Sequence, residues 1–182
     1  MYRLFVAIDL PESLKAQLAL IGTGIPGARW VPEDQLHLTL RFIGEVDGLL
    51  YRDIKKALFD VNMEPFPLAL KGVGTFPPRG QPNVLWVGLE KSDPLLRLQH
   101  KIENMLRQAG VEPEGRKFSP HITLARLKDT PMSRLGNFLQ GHALFQTTPF
   151  EVTEFYLYSS TLSSKGATHY KEETYPLEGD TL

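Results

Sequence analysis

His37-Leu38-Thr39-Leu40 and, 84 residues later, His121-Ile122-Thr123-Leu124 decide how this chain folds. With 12 Thr and 28 Leu in the sequence, a given histidine is followed by x-Thr-Leu with a probability of roughly 1 in 100, so one copy is weak and two among five histidines is strong. Each tetrapeptide sits in an apolar, β-prone run. Side chains alternate along a strand, so histidine and threonine share a face about 7 Å apart. Leu38, Leu40, Ile122 and Leu124 then fall on the opposite face and fill a core. The same parity extends the first polar row to Arg41. It puts Arg126 on the face opposite His121, unless a bulge or the strand end re-aims it.

Outward from these strands the pattern is mixed. Leu4 to Leu10 reads as a short buried strand, and Pro11-Glu12-Ser13 opens a helix that Gly22 and Gly24 close. Trp30-Val31-Pro32 is an extended lead-in to the strand from Gln35 to Gly44. A helix follows from Leu49 to Val61. Phe66 to Val73 and Asn83 to Leu89 read as two strands joined by the Gly/Pro-rich run 74–80. The second half repeats the scheme with a helix from Pro94 to Ala109 and a strand from Phe118 to Leu127. It ends in a short helix near 133–140 and strands near 150–160 and 168–176. No β-α-β alternation and no glycine-rich phosphate loop is present, so the expected class is α+β with largely antiparallel sheets. Recurrence of the motif once per half suggests two related lobes facing each other across a central cleft, within one domain spanning 1–182.

Composition narrows the function. Twenty basic against twenty-one acidic residues leave a formal charge of −1, which does not supply the broad basic footprint that duplex DNA demands. A small nucleotide end needs only a local positive pocket. Absence of cysteine excludes disulfides, thiolate metal sites and a cysteine nucleophile. No apolar run approaches the roughly 18 residues of a membrane span. A soluble, cytoplasmic monomer is the expectation.

A pair of imidazoles and a pair of hydroxyls suits displacement at a phosphodiester. One group takes a proton from the nucleophile and another gives one to the departing alkoxide. Histidine serves either role, because its ordinary pKa is about 6.5. Thr39 and Thr123 can hydrogen-bond the non-bridging phosphate oxygens, and Arg41 and Arg126 can add positive charge. No metal or other cofactor is required. Which histidine gives and which takes is left open by two near-identical motifs. His100, His142 and His169 lack partners at metal-ligand spacing, and a solvated or structural role is their default. Trp30, Phe42, Phe76 and Tyr156 can stack a base, although core packing is the ordinary fate of an aromatic side chain. Arg79, in the Pro/Gly run, can reach a phosphate.

At these residues the sequence resembles the 2H phosphoesterase superfamily, and most closely its bacterial and archaeal RNA 2′,3′-cyclic phosphodiesterase branch, the 2′-5′ RNA ligase family. The likeness runs through Arg3-Leu4-Phe5-Val6-Ala7-Ile8, Trp30-Val31, His37 to Glu45, Gly74-x-Phe76-Pro77, Val84 to Gly88 and Phe118 to Arg126. It implies a two-lobed fold with a V-shaped cleft and one motif from each lobe. It also implies hydrolysis of RNA 2′,3′-cyclic phosphate ends, or of small cyclic nucleotides, to 2′-phosphomonoesters. His37 would be the proton donor and His121 the base that activates water. The resemblance further implies an ATP-independent 2′-5′ joining of RNA as a side activity.

Overall fold

A computed structural model describes residues 1–179 of the chain; residues 180–182 lie outside the described part. The first half runs β1 (Tyr2–Asp9), α1 (Glu12–Leu20), β2 (Arg29–Trp30), β3 (His37–Val46), α2 (Gly48–Ala57), β4 (Phe66–Leu68) and β5 (Leu70–Phe76). The second runs β6 (Val84–Leu89), α3 (Asp93–Ala109), β7 (Ile122–Arg126), α4 (Met132–Gly141), β8 (Phe150–Val152), β9 (Glu154–Ser163) and β10 (Gly166–Pro176).

Local chemistry sets the helix ends. Asp47 accepts a hydrogen bond from the Leu50 amide at 2.8 Å and caps α2. Ser92 does the same for α3 through Leu95, and Pro94 fits the first turn, where no amide donor is needed. Gly110 ends α3 in the left-handed region at φ 106°, a conformation that costs a side chain-bearing residue energy and glycine none.

Boundaries shift where tertiary pairing overrules pattern. The expected strand 66–73 is two, because Phe66–Leu68 pairs with β8 while Leu70–Phe76 pairs with β6. Gly74, Thr75 and Phe76, read as loop, are therefore strand. The strand expected from Phe118 begins only at Ile122, so His121 stands just ahead of its strand.

Eight of the strands make two antiparallel four-stranded sheets, ordered β10-β9-β1-β3 and β2-β7-β6-β5. Strands β3 and β7 touch where the sheets meet. Leu4, Val6, Ile8, Leu38 and Leu40 of the first sheet share one continuous core with Leu85, Val87, Ile122, Leu124 and Ala125 of the second. Helix α3 adds Leu95, Leu98, Ile102 and Leu106 to it. Each such leucine contributes about 2 kcal/mol on burial. Both sheets thus turn one face to a common hydrocarbon interior, and the histidine motifs lie on the two faces turned away from it.

Candidate active site

Register fixes the first row. His37 pairs with Asp9 and Thr39 with Ala7 across the β3–β1 ladder. Beyond Thr39 the ladder slips: Val6 pairs with Arg41, so Leu40 is an extra residue and the strand bulges. A bulge puts two consecutive residues on one side, here Leu40 and Arg41 on the core side with Val6. The next pair sets Phe42 opposite Phe5, whose ring is 5.6 Å away, and a second slip follows beyond Phe42. The row facing away from the core is therefore His37, Thr39, Phe42.

The second motif carries the same device. Thr123 pairs with Trp86 and Ala125 with Leu85, leaving Leu124 as the extra residue. Leu124 and Ala125 both enter the core. Arg126 then pairs with Val84 and returns to the face of Thr123. The second row is His121, Thr123, Arg126. The two bulges fall at the same place in the two motifs, one residue after threonine. Their carbonyls find partners, Leu40 from Gln99 Nε2 at 3.4 Å and Leu124 from the Val31 amide at 2.8 Å.

Arg41 does not continue the polar row, contrary to simple alternation. It is buried with 8% exposure. Its Nε stands 3.1 Å from Glu103 Oε1 of α3, at ion-pair distance but without hydrogen-bond alignment, and its Nη2 donates to the Glu112 carbonyl at 2.6 Å. Arg41 ties β3 to α3 and the chain beyond it. The same kind of bulge removes Arg41 from the histidine face and restores Arg126 to it.

The His121 imidazole is held from behind by the residue two places earlier. His121 Nδ1 is 2.7 Å from the Ser119 carbonyl. A carbonyl only accepts, so Nδ1 carries the proton and Nε2 of the neutral ring keeps its lone pair for a substrate. The backbone of Gln35, two places before His37, raises that ring's pKa, a smaller effect than burial. Beside His121 the Phe76 ring stands edge-on at 4.9 Å. Phe76 also touches Trp86, whose indole covers Gly74 so closely that a Cβ there would overlap it.

His37 sits in an aromatic box. Phe5 stacks on it at 5.0 Å, Tyr158 at 5.5 Å, and the His169 ring meets it edge-on at 5.3 Å. Burial lowers its pKa to about 4, His169 pushes in the same direction, and Asp9 opposes them. The ligand-free ring is therefore neutral at pH 7. Asp9 is itself engaged, at 2.8 Å from both Lys15 and Lys171. Burial pushes its carboxyl up, but the two ammonium groups outweigh that and hold it below the ordinary range. Lys171 further lies 4.1 Å from the Tyr156 ring centre.

Other candidates separate cleanly. Phe42, Phe76 and Tyr156 belong to the histidine faces, whereas Trp30 pairs with Ala125 and packs on the core. His142 caps α4 against Phe138 at 4.4 Å. His100 is on the exposed side of α3, and Arg79 is exposed in its loop. Sequence reasoning gave His169 only a default solvated or structural role and passed over Tyr158 and Arg29; the places of all three depend on β10, β9 and β2 pairing. Among the described residues no group of three or more His, Asp or Glu side chains could hold a metal ion.

Two antiparallel sheets that meet along β3 and β7, each bearing a His-x-Thr row on its outer face, define a two-histidine phosphoesterase. A model of the 2′-5′ RNA ligase superfamily matches residues 11–163, and the chain belongs to that family. It is 36% identical over 173 residues to the RNA 2′,3′-cyclic phosphodiesterase of Thermotoga maritima, with 90% of this chain and 89% of that protein covered. It is 31% identical over 167 residues to the protein of the same name from Archaeoglobus fulgidus, with 90% and 94% covered. Among solved structures, TT0787 of Thermus thermophilus superposes with a TM-score of 0.80 at 30% identity, covering 98% of this chain and all of that one. E. coli LigT complexed with 3′-AMP gives 0.78 at 25% identity, covering 97% and 98%.

Proposed function

We propose that this protein hydrolyses RNA 2′,3′-cyclic phosphate ends, or small cyclic nucleotides, to 2′-phosphomonoesters, by acid–base catalysis between His37 and His121 without a metal. The observation that carries this reading is the pair of equivalent rows, His37-Thr39 and His121-Thr123, on touching strands and on faces turned away from one shared core. Nε2 of His121 takes a proton from water as the water oxygen attacks phosphorus. The bond from phosphorus to the 3′ oxygen breaks, and His37 delivers a proton to that oxygen. The products are a 2′-phosphate and a free 3′-hydroxyl. Thr39 and Thr123 hydrogen-bond the non-bridging oxygens, and Arg126 adds positive charge where the transition state gathers negative charge.

His37 is neutral in the ligand-free protein, and a donor must first be charged. The phosphate itself supplies the reason to charge: an anion brought against a buried imidazole favours the protonated form. The same displacement with a 5′-hydroxyl in place of water, attacking phosphorus as the bond to the 3′ oxygen breaks, joins two RNA ends through a 2′-5′ bond, which makes ATP-independent ligation a natural side activity. A monomer in a reducing, cytoplasmic setting completes the proposal.

Product analysis on an RNA oligomer ending in a 2′,3′-cyclic phosphate, in excess chelator, tests it. A 2′-phosphate is expected. A 3′-phosphate product, or activity that vanishes with chelator, overturns it.

A further inference from the structure

Arg29 of β2 lies directly opposite Arg126 of β7. Cross-strand partners share a face with side chains roughly 5 Å apart at the Cβ atoms, and like charges so placed repel. Both side chains are exposed, and neither has a carboxylate partner among the described residues. Carboxylates elsewhere in the fold hold several other basic side chains. Arg41 pairs with Glu103, Arg116 with Glu114, and Lys15 and Lys171 with Asp9.

The pair is also in a particular place. Arg126 is the next residue after Thr123 on the histidine face, because the bulge at Leu124 and Ala125 skips two side chains into the core. Arg29 stands one strand further out, at the edge of the sheet, since β2 has no neighbour beyond β7. Moving from Thr123 along β7 and then across to β2, the Arg29 position is displaced from Thr123 by about 7 Å along the strand and about 5 Å across it. A displacement of that order is the step from one backbone phosphate of a single strand to the next.

We infer that Arg29, beside Arg126, binds the phosphodiester immediately upstream of the cyclic phosphate, so that the preferred substrate is an oligoribonucleotide end rather than a mononucleotide. This inference rests on the phosphodiesterase reading. An upstream anion relieves the repulsion between the two guanidiniums, and Arg is suited to hold it because its planar fork matches two phosphate oxygens. A mononucleotide 2′,3′-cyclic phosphate has no upstream phosphodiester and gains nothing from Arg29.

The test compares kcat/KM for uridine 2′,3′-cyclic phosphate with that for the dinucleotide ApU carrying the same cyclic end, in the wild-type protein and in Arg29→Gln and Arg29→Lys. A charge-assisted contact predicts a dinucleotide preference of roughly 10-fold or more at low salt. Arg29→Gln should bring that ratio close to one, Arg29→Lys should keep part of it, and added salt should shrink it in the wild type. Equal wild-type rates on the two substrates overturn the inference, as does a preference that survives Arg29→Gln. Turnover of neither substrate overturns the phosphodiesterase reading itself, and this inference with it.

Discussion

Arg41 and Ala125 occupy the same position in two equivalent β-bulges, and both turn toward the core. The correspondence means that the two motifs align without a gap, and that the fifth residue after each histidine, Phe42 in one and Arg126 in the other, is what reaches the histidine face. One face thereby presents an exposed aromatic ring and the other a guanidinium, an asymmetry suited to a nucleotide with one flat end and one charged end.

Arg41 and Arg126 should therefore behave oppositely. Arg41→Met leaves Glu103, which is 16% exposed in its side chain, facing a vacated partner, and should cost about 3 kcal/mol of stability in urea unfolding. Turnover per folded molecule should stay within a few-fold. Arg126→Met should leave the unfolding midpoint nearly unchanged and lower kcat/KM by roughly 10- to 100-fold. The reverse pattern would mean that the register assigned to these strands is wrong.

Removing either histidine should be severe. His37→Ala and His121→Ala should each lower kcat by about 10²- to 10⁴-fold, the range of general acid–base catalysis. The double variant should lose little beyond the worse single one, because the two groups act in one displacement. His100→Ala, on the exposed side of α3, is the control and should retain full activity. Single variants that keep more than a tenth of wild-type turnover would remove the histidines from the chemistry.

Much of this was legible in the sequence. His37, Thr39, His121 and Thr123 share their faces because strand periodicity demands it, and Leu38, Leu40, Ile122 and Leu124 are buried for the same reason. Helices α2 and α3 declared themselves through apolar residues at helical spacing, while their caps, Asp47 and Ser92, were not read from the sequence. The arginines did not, since a bulge depends on a partner strand tens of residues away and leaves no local mark on Thr-Leu-Arg or Thr-Leu-Ala. His169 was hidden likewise. Only the pairing of β10 with β9 and of β9 with β1 brings it to His37, 132 residues earlier in the chain. The split of 66–76 into two strands follows from partner choice, which composition does not encode.

Substrate binding should recharge His37. In the ligand-free protein its ring titrates at about 4, with burial as the main cause. An anion at Thr39 and Thr123 opposes that effect, so the pKa should move upward when the product adenosine 2′-monophosphate is added. The Cε1 proton of His37, followed by NMR from pH 3 to 8, reports both values. A ring that already titrates near 6.5 without ligand, or one that ignores the nucleotide, would contradict the donor role proposed here.

The same depressed pKa governs acid stability. In the unfolded chain His37 takes up its proton near 6.5, whereas in the folded protein it does so only near 4. Between those values the unfolded state binds more protons, so stability is full above pH 6.5 and declines as pH falls toward 4. A difference of that size corresponds to about 3 kcal/mol, reached near pH 4 and constant below it. Asp9 acts in a lower window, since its carboxyl is held below the ordinary value of 3.8 and its contribution is lost only in stronger acid. His169, also lowered by burial, slopes in the same direction as His37, so a single titration curve of the wild type does not isolate either ring. His37→Phe does, because a phenyl ring keeps the stacking with Phe5 and Tyr158 and has no proton to gain. Urea unfolding at pH 7 and pH 4 should show the wild type losing about 3 kcal/mol more than His37→Phe over that interval. Equal losses in the two proteins would show that the His37 ring is solvated, and the aromatic box would then have to be open in solution.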